Sequence, residues 1–280
     1  MAASDHEVYE ARADGKRARA LAATASPFTI KIRFAGGLTA RQRAAFKAAA
    51  KRWTRVIVGD LPKARVGGQV IDDILIIAQG VAIDGPGKIL GQAGPTHLRP
   101  ASAGAAAFLP ARGVMSFDTA DLARMQADGT LRDVITHEMG HVLGIGSIWA
   151  RKGLLKGAGS RNPTFAGPRA MEEYRRLRHA ARRRRVPVEN TGGPGSRDSH
   201  WRERVFRNEL MSSVIAGARN PLSRMTVASL ADLGYTVDLG AAESFALPPA
   251  AAVAQAGPPP ARRGMLRSGI VLPVIPTVLE

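Results

Sequence analysis

The chain has 280 residues, 45% of them apolar, enough to bury the core of one large domain or two modest ones. Lys and Arg number 40 against 23 for Asp and Glu; the resulting formal charge of +17 suits nucleic acid or an anionic surface as partner but specifies no fold. The absence of cysteine excludes disulfides, thiolate metal ligands and a cysteine nucleophile, and no run of about 18 apolar residues exists to form a transmembrane segment.

Residues 1–27 mix charges throughout and show no apolar core of a signal peptide, so they read as a polar N-terminal extension, with the fold beginning at Phe28. Phe28 to Phe34 alternates apolar and polar residues, the period of a half-buried strand. Thr39 then caps a helix running to about Val58, with Ala45, Phe46, Ala49, Trp53 and Val56 on one face. Ile71 to Ala78 is dense in Ile and Leu and reads as a strand buried on both sides; Ile89 to Gly94 and Gly113 to Phe117 are shorter strands. A helical turn at Asp121 to Met125 follows.

The stretch Thr130-Leu-Arg-Asp133 has a capping-box pattern. It opens a helix on which Leu131, Val134, Ile135, Met139 and Val142 form one apolar stripe, and Gly144 permits a left-handed exit. From there to Ser199 the composition shifts to Gly, Pro and Arg, with one helical patch from Pro168 to about Arg185; residues 149–199 read as an insertion. A second ordered block spans 200–238, with a helix starting at Ser223 or Thr226 and ending at Gly234. Residues 239–280 form an Ala/Pro-rich tail. There is no internal repeat.

His137-Glu138-Met139-Gly140-His141 is an H-E-x-x-H pattern. Residues four apart on a helix lie one turn above each other, so both imidazoles can reach one tetrahedral cation. Glu138 lies about 100° round from His137, beside the metal without binding it, where a carboxylate serves as general base. The implied reaction is attack of a zinc-bound water on a peptide carbonyl, with Glu138 taking the proton and passing it to the leaving amine.

A catalytic zinc takes three protein ligands and leaves one position open. In the short metzincin pattern H-E-x-x-H-x-x-G-x-x-H, Gly144 fits but the third ligand position holds Ser147. Of the other histidines, His6 lies in the charged extension, His179 in an Arg-rich run and His97 in a Pro-flanked loop. His200 stands in the Gly-rich segment Gly192 to Trp201, just ahead of Asn208-Glu-Leu-Met211, and is the candidate third ligand.

The sequence resembles the leishmanolysin family of metzincin zinc peptidases through His137 to Gly144, Glu189-Asn-Thr-Gly-Gly193, His200-Trp201, Asn208-Glu-Leu-Met211 and Leu230-Ala-Asp-Leu-Gly-Tyr235. In that family a long insertion displaces the third histidine from the helix, and here 55 residues separate Gly144 from His200. The resemblance implies an α/β (α+β) metzincin-like fold: a catalytic subdomain over 28–148 with a twisted mixed sheet and the active-site helix, the insertion, then a smaller, mostly irregular and helical subdomain over 200–238. It makes Met211 the Met-turn residue beneath one catalytic zinc, and it implies a protein or peptide substrate in a cleft bordered by an edge strand, for which Ile89 to Gly94 is the candidate. It also suggests secretion, although no signal peptide is visible. Cysteine-based latency and a membrane anchor do not carry over to this cysteine-free chain.

The densest basic patch is Arg175, Arg176, Arg178 and Arg182 to Arg185, inside the insertion. It defines the alternative reading, a basic protein that binds anionic polymers or nucleic acid with a structural zinc or none. Almost no aromatic residues interleave with the arginines, as single-strand binding would require. Gly85-Pro-Gly87 and Gly192 to Gly195 lack any nucleotide-binding pattern. The carboxylates at Asp118 and Asp121 are too common an arrangement to assign a structural Ca2+.

Overall fold

The computed structural model describes residues 7–85, 87, 90–193, 195–215, 219–249, 266–267, 270–271 and 275–280. The segment ahead of Phe28 is part of the fold. Val8–Arg12 (β1) pairs antiparallel with Thr29–Phe34 (β2), and Gly15–Ala22 (α1) follows, its N-terminus capped by Asp14. The mixed charges of this stretch fit an edge strand, whose outer face stays in water.

Thr39 and Gln42 make a reciprocal capping box at the start of Ala40–Val56 (α2). A small hairpin, Ala64–Val66 (β3) and Gln69–Ile71 (β4), precedes Ile74–Val81 (β5). The apolar run expected as one strand from Ile71 to Ala78 is therefore broken at Asp72-Asp73. The Asp73 carboxylate is buried and accepts the Thr29 and Leu61 backbone N–H groups, tying the break to two neighbouring segments. Beyond it, Ile74, Ile76 and Ala78 join the main core, while Leu75 and Ile77 pack with Val66 and Ile71 in a satellite cluster.

The sheet is completed by Gly91–Leu98 (β6) and Pro110–Asp118 (β7). Its order is β1-β2-β5-β7-β6, with β2, β5 and β7 parallel and β1 and β6 antiparallel at the sides. Ile89 of the expected edge strand lies outside the described residues. The outer side of β6 carries Ile270–Val271 (β13) and Thr277–Val278 (β14), both parallel to it. Asp118 caps Thr119–Ala127 (α3) and also accepts the Ile83 N–H, while Asp121 pairs with Arg124.

Leu131–Val142 (α4) lies beside α2 under the β6 and β7 half of the sheet. Its expected capping box does not form. Thr130 takes a helical conformation, so its hydroxyl makes no cap bond, and Asp133 instead accepts from Arg52 of α2 and from Asn220. The approach is close: a Cβ on Gly113 of β7 would lie 2.4 Å from Val142.

The remainder forms a second layer. Leu155–Lys156 (β8), Thr164–Phe165 (β9) and Val186–Pro187 (β10) make a small sheet, and Pro168–Leu177 (α5) packs on Arg224–Leu233 (α7). Asp232 of α7 accepts the first N–H groups of α5. The helix expected to reach Arg185 stops at Leu177 because His179 adopts a left-handed φ of 47°. The inserted segment is anchored by buried Trp149 and Phe165, which pack on Trp201 with ring centroids 4.6 and 5.5 Å from its own. Glu203–Phe206 (α6), Val214–Ile215 (β11) and Leu266–Arg267 (β12) complete the elements. The tail is also engaged near its start, where Glu243 pairs with Arg52. Among the described residues no helix is long and apolar enough to cross a membrane.

Candidate metal centre

Three imidazoles converge at one end of α4. The Nε2 atoms of His137 and His200 are 3.0 Å apart, those of His141 and His200 3.0 Å, and those of His137 and His141 3.1 Å. The α-helical period stacks the first two; the third arrives on the loop before Trp201. Each Nδ1 faces a backbone carbonyl: Leu210 for His137 at 2.6 Å, Ile145 for His141 at 2.8 Å and Ser196 for His200 at 2.9 Å.

A carbonyl only accepts, so each Nδ1 carries the proton and donates it. All three Nε2 atoms are then lone pairs turned on one another, with no proton to share. Burial, reinforced by the neighbouring imidazole, pushes the three ring pKa values down to about 3, so the rings stay neutral. Three neutral nitrogen donors at this separation fit a metal cation, and the carbonyl partners set the tautomer that coordination through Nε2 needs.

Glu138 stands beside them, its Oε1 3.9 Å from the His137 Nε2. Its Oε2 is buried and has no hydrogen-bond partner among the described residues. Burial alone raises this carboxyl well above the usual range.

Met211 is fully buried against the middle of α4. A Cβ on Gly140 would lie 2.8 Å from its Sδ and 2.9 Å from Trp53, so a larger residue there would push the Met211 and Trp53 side chains aside. Trp53 is held by donation from Nε1 to the Thr136 carbonyl. Gly144 leaves the helix with a φ of 109°, and the Tyr235 hydroxyl donates to the Leu143 carbonyl at that exit. Ser147, where the short motif has a ligand, donates to the His141 carbonyl at 2.6 Å. Gly146, with a φ of 75°, lets the exit loop pass against Ser199, where a Cβ would lie 2.0 Å from the carbonyl oxygen.

Two buried carboxylates that spacing does not single out organise this region. Glu189 accepts from the Asn190, Thr191 and Glu203 N–H groups and from the Thr191 and Ser213 hydroxyls, while its own N–H donates to the His200 carbonyl. Glu209 accepts from the Met211 and Ser223 N–H groups and the Ser223 and Thr226 hydroxyls, and Trp201 Nε1 also donates to Thr226. Their sequence signal is the family resemblance, since Glu189 opens the segment Glu189 to Gly193 and Glu209 lies in Asn208 to Met211.

The other histidines stay apart. His97 is half-buried on β6 with its Nδ1 near the Thr96 hydroxyl, His179 is exposed at the end of α5, and His6 lies outside the described residues.

Residues 105–254 match the family model for leishmanolysin, a peptidase family. Leishmanolysin of Leishmania major is 31% identical over 142 residues, covering 48% of this chain and 23% of that protein. Leishmanolysin of Leishmania donovani is 30% identical over 148 residues, covering 49% and 24%. The chain belongs to the leishmanolysin family. It spans about a quarter of the length of the curated relatives it matches.

Proposed function

We propose that the protein is a zinc-dependent endopeptidase. The observation that carries this reading is a buried trio of imidazole lone pairs facing one another beside a carboxylate oxygen that has no hydrogen-bond partner among the described residues. His137, His141 and His200 hold the zinc, Met211 supports the floor beneath it, and Glu138 is the general base. When bound, zinc would supply the positive charge that keeps the buried Glu138 ionised, polarise the scissile carbonyl and acidify the attacking water.

Glu138 takes the proton from that water and returns it to the leaving amine, so no covalent enzyme intermediate is required. The substrate is a protein or peptide chain. The order of the elements, a mixed sheet, a ligand-bearing helix and then a second layer that returns the third histidine, supports reading the fold as metzincin-like.

The test is bound metal and cleavage of casein or gelatin for the wild type and Glu138→Ala. Retained zinc with cleavage lowered at least about 100-fold supports the reading. Equal cleavage by both proteins overturns it.

A further inference from the structure

The three imidazoles share one centre but are not oriented alike. The Nδ1 acceptors of His141 and His200 are the Ile145 and Ser196 carbonyls, each four residues away along the same stretch of chain. The acceptor of His137 is the Leu210 carbonyl, 73 residues distant, so this ring depends on how another segment is held. We infer that Glu209 is a positioning residue of the metal centre, a buried carboxylate that fixes His137 through the Leu210–Met211 peptide and His200 through Trp201. Its effect on rate rests on the peptidase reading above; its effect on the metal rests on the three histidines alone.

The first link is a single peptide plane. The Leu210 carbonyl accepts the His137 Nδ1–H at 2.6 Å, and the Met211 N–H of the same peptide group donates to Glu209 Oε2 at 2.7 Å. A peptide unit is rigid and planar, so an anchor on its N–H sets the direction of its C=O. Without that anchor the plane can turn about the bonds that flank it, and the carbonyl turns away from the ring.

The second link is Trp201, the residue after His200. Its Nε1 donates to the Thr226 hydroxyl at 2.8 Å, and that hydroxyl donates to Glu209 Oε1. An indole N–H can only donate, so Thr226 accepts it and gives its own proton to the carboxylate. The Trp201 backbone N–H donates to the Met211 carbonyl at 2.9 Å. Trp201 is thereby tied to the Met211 segment at its backbone and to Glu209 at its ring.

The reference point is helix α7. Glu209 is 0% exposed, and its Oε1 also accepts the Ser223 N–H at 3.1 Å and the Ser223 hydroxyl at 2.6 Å. Ser223 is the N-cap of α7, whose Met225, Val227 and Leu230 are buried in the main core. The carboxylate carries the fixed position of this helix to the partners of two metal ligands, the kind of outer contact that orients a ligating histidine.

The experiment compares the full, zinc-loaded chain with Glu209→Gln, Thr226→Val and, as a control for lost stability, Thr39→Ala at the α2 cap. Glutamine keeps the size of the side chain but replaces one acceptor oxygen with an NH2 group, which faces a backbone N–H on whichever side it takes. The readouts are zinc affinity by chelator competition, the Nδ1–H proton resonances of the three histidines, and kcat and KM for a quenched peptide. Glu209→Gln is expected to lower zinc affinity about 10–100-fold, to shift the His137 resonance and to lower kcat with little change in KM. Thr226→Val is expected to shift the His200 resonance and leave that of His137 in place. A folded Glu209→Gln chain with the zinc affinity of Thr39→Ala and the wild-type His137 resonance overturns the inference. If Glu209→Gln does not fold, Thr226→Val decides, and an unmoved His200 resonance overturns it. Weakened zinc binding with the shifted His137 resonance, in a protein whose wild type cleaves no peptide, upholds the inference and overturns the peptidase reading instead.

Discussion

Gly146→Ala separates the positioning of His200 from the general cost of substitution in the exit loop. Gly146 has a φ of 75°, and an added Cβ would lie 2.0, 2.7 and 2.9 Å from the O, C and Cα atoms of Ser199. All three are backbone atoms, so no side-chain rotation relieves the clash. Ordinary contact requires about 3.4 Å, so the two strands of chain must part by more than about 1 Å, and His200 is the next residue. The left-handed φ costs about 1 kcal/mol and the overpacking about 1–3 kcal/mol more. A ligand shifted by about 1 Å lowers the rate on the order of 100-fold. Gly153→Ala is the control, since Gly153 has a φ of 68° but nothing within 4 Å of the added carbon. Zinc retained after dialysis against a weak chelator, peptide cleavage and thermal unfolding are measured for both variants. If Gly146→Ala keeps zinc and rate within twofold of Gly153→Ala, the close approach to Ser199 does not position the histidine.

Burial raises the Asp73 carboxyl to about 7. The folded-state pKa lies above the unfolded one, so its contribution is full below about pH 4 and is lost as pH rises to about 7. The loss is at most about 4 kcal/mol, because two backbone N–H groups favour the ionised form. Subtracting the denaturation stability of Asp73→Asn from that of the wild type across this range should give a falling difference; a flat one refutes the assignment. Thr39→Ala removes the capping box of α2 and is expected to cost about 1 kcal/mol, measured by urea denaturation with the slope unchanged. Zinc at about 1,000 times its Kd is expected to stabilise the chain by about 4 kcal/mol, seen as a rise in Tm that His200→Ala abolishes.

The part of the site carried by a helix is legible in the sequence, because a spacing of four residues places His137 and His141 together whatever surrounds them. The apolar stripe of α4 is legible for the same reason, and its five residues are all buried. The start of that helix is not. The Thr130 pattern competes with Arg52 for Asp133, and a residue 81 positions away leaves no trace in local spacing. The Nδ1 acceptors are backbone carbonyls at 145, 196 and 210, which any residue would supply, so no sequence pattern announces them. The strand before Phe28 is hidden because its period-two pattern is short and charged. The break at Asp72-Asp73 is hidden because an apolar run on either side of two acids reads as continuous.

The three carbonyl-anchored imidazoles also bear on how this cysteine-free chain keeps its halves together. A cation shared by His141 and His200 would close a loop of 59 residues and stand in for a disulfide between the two layers. On the chain-entropy relation for cross-links, closing such a loop is worth about 4 kcal/mol. A metal-starved cell would then make a chain whose sheet and helices α2 and α4 hold while the layer bearing Trp201 opens more often. Proteases would find it there first, so the supply of the ion would set the lifetime of the protein as well as its activity.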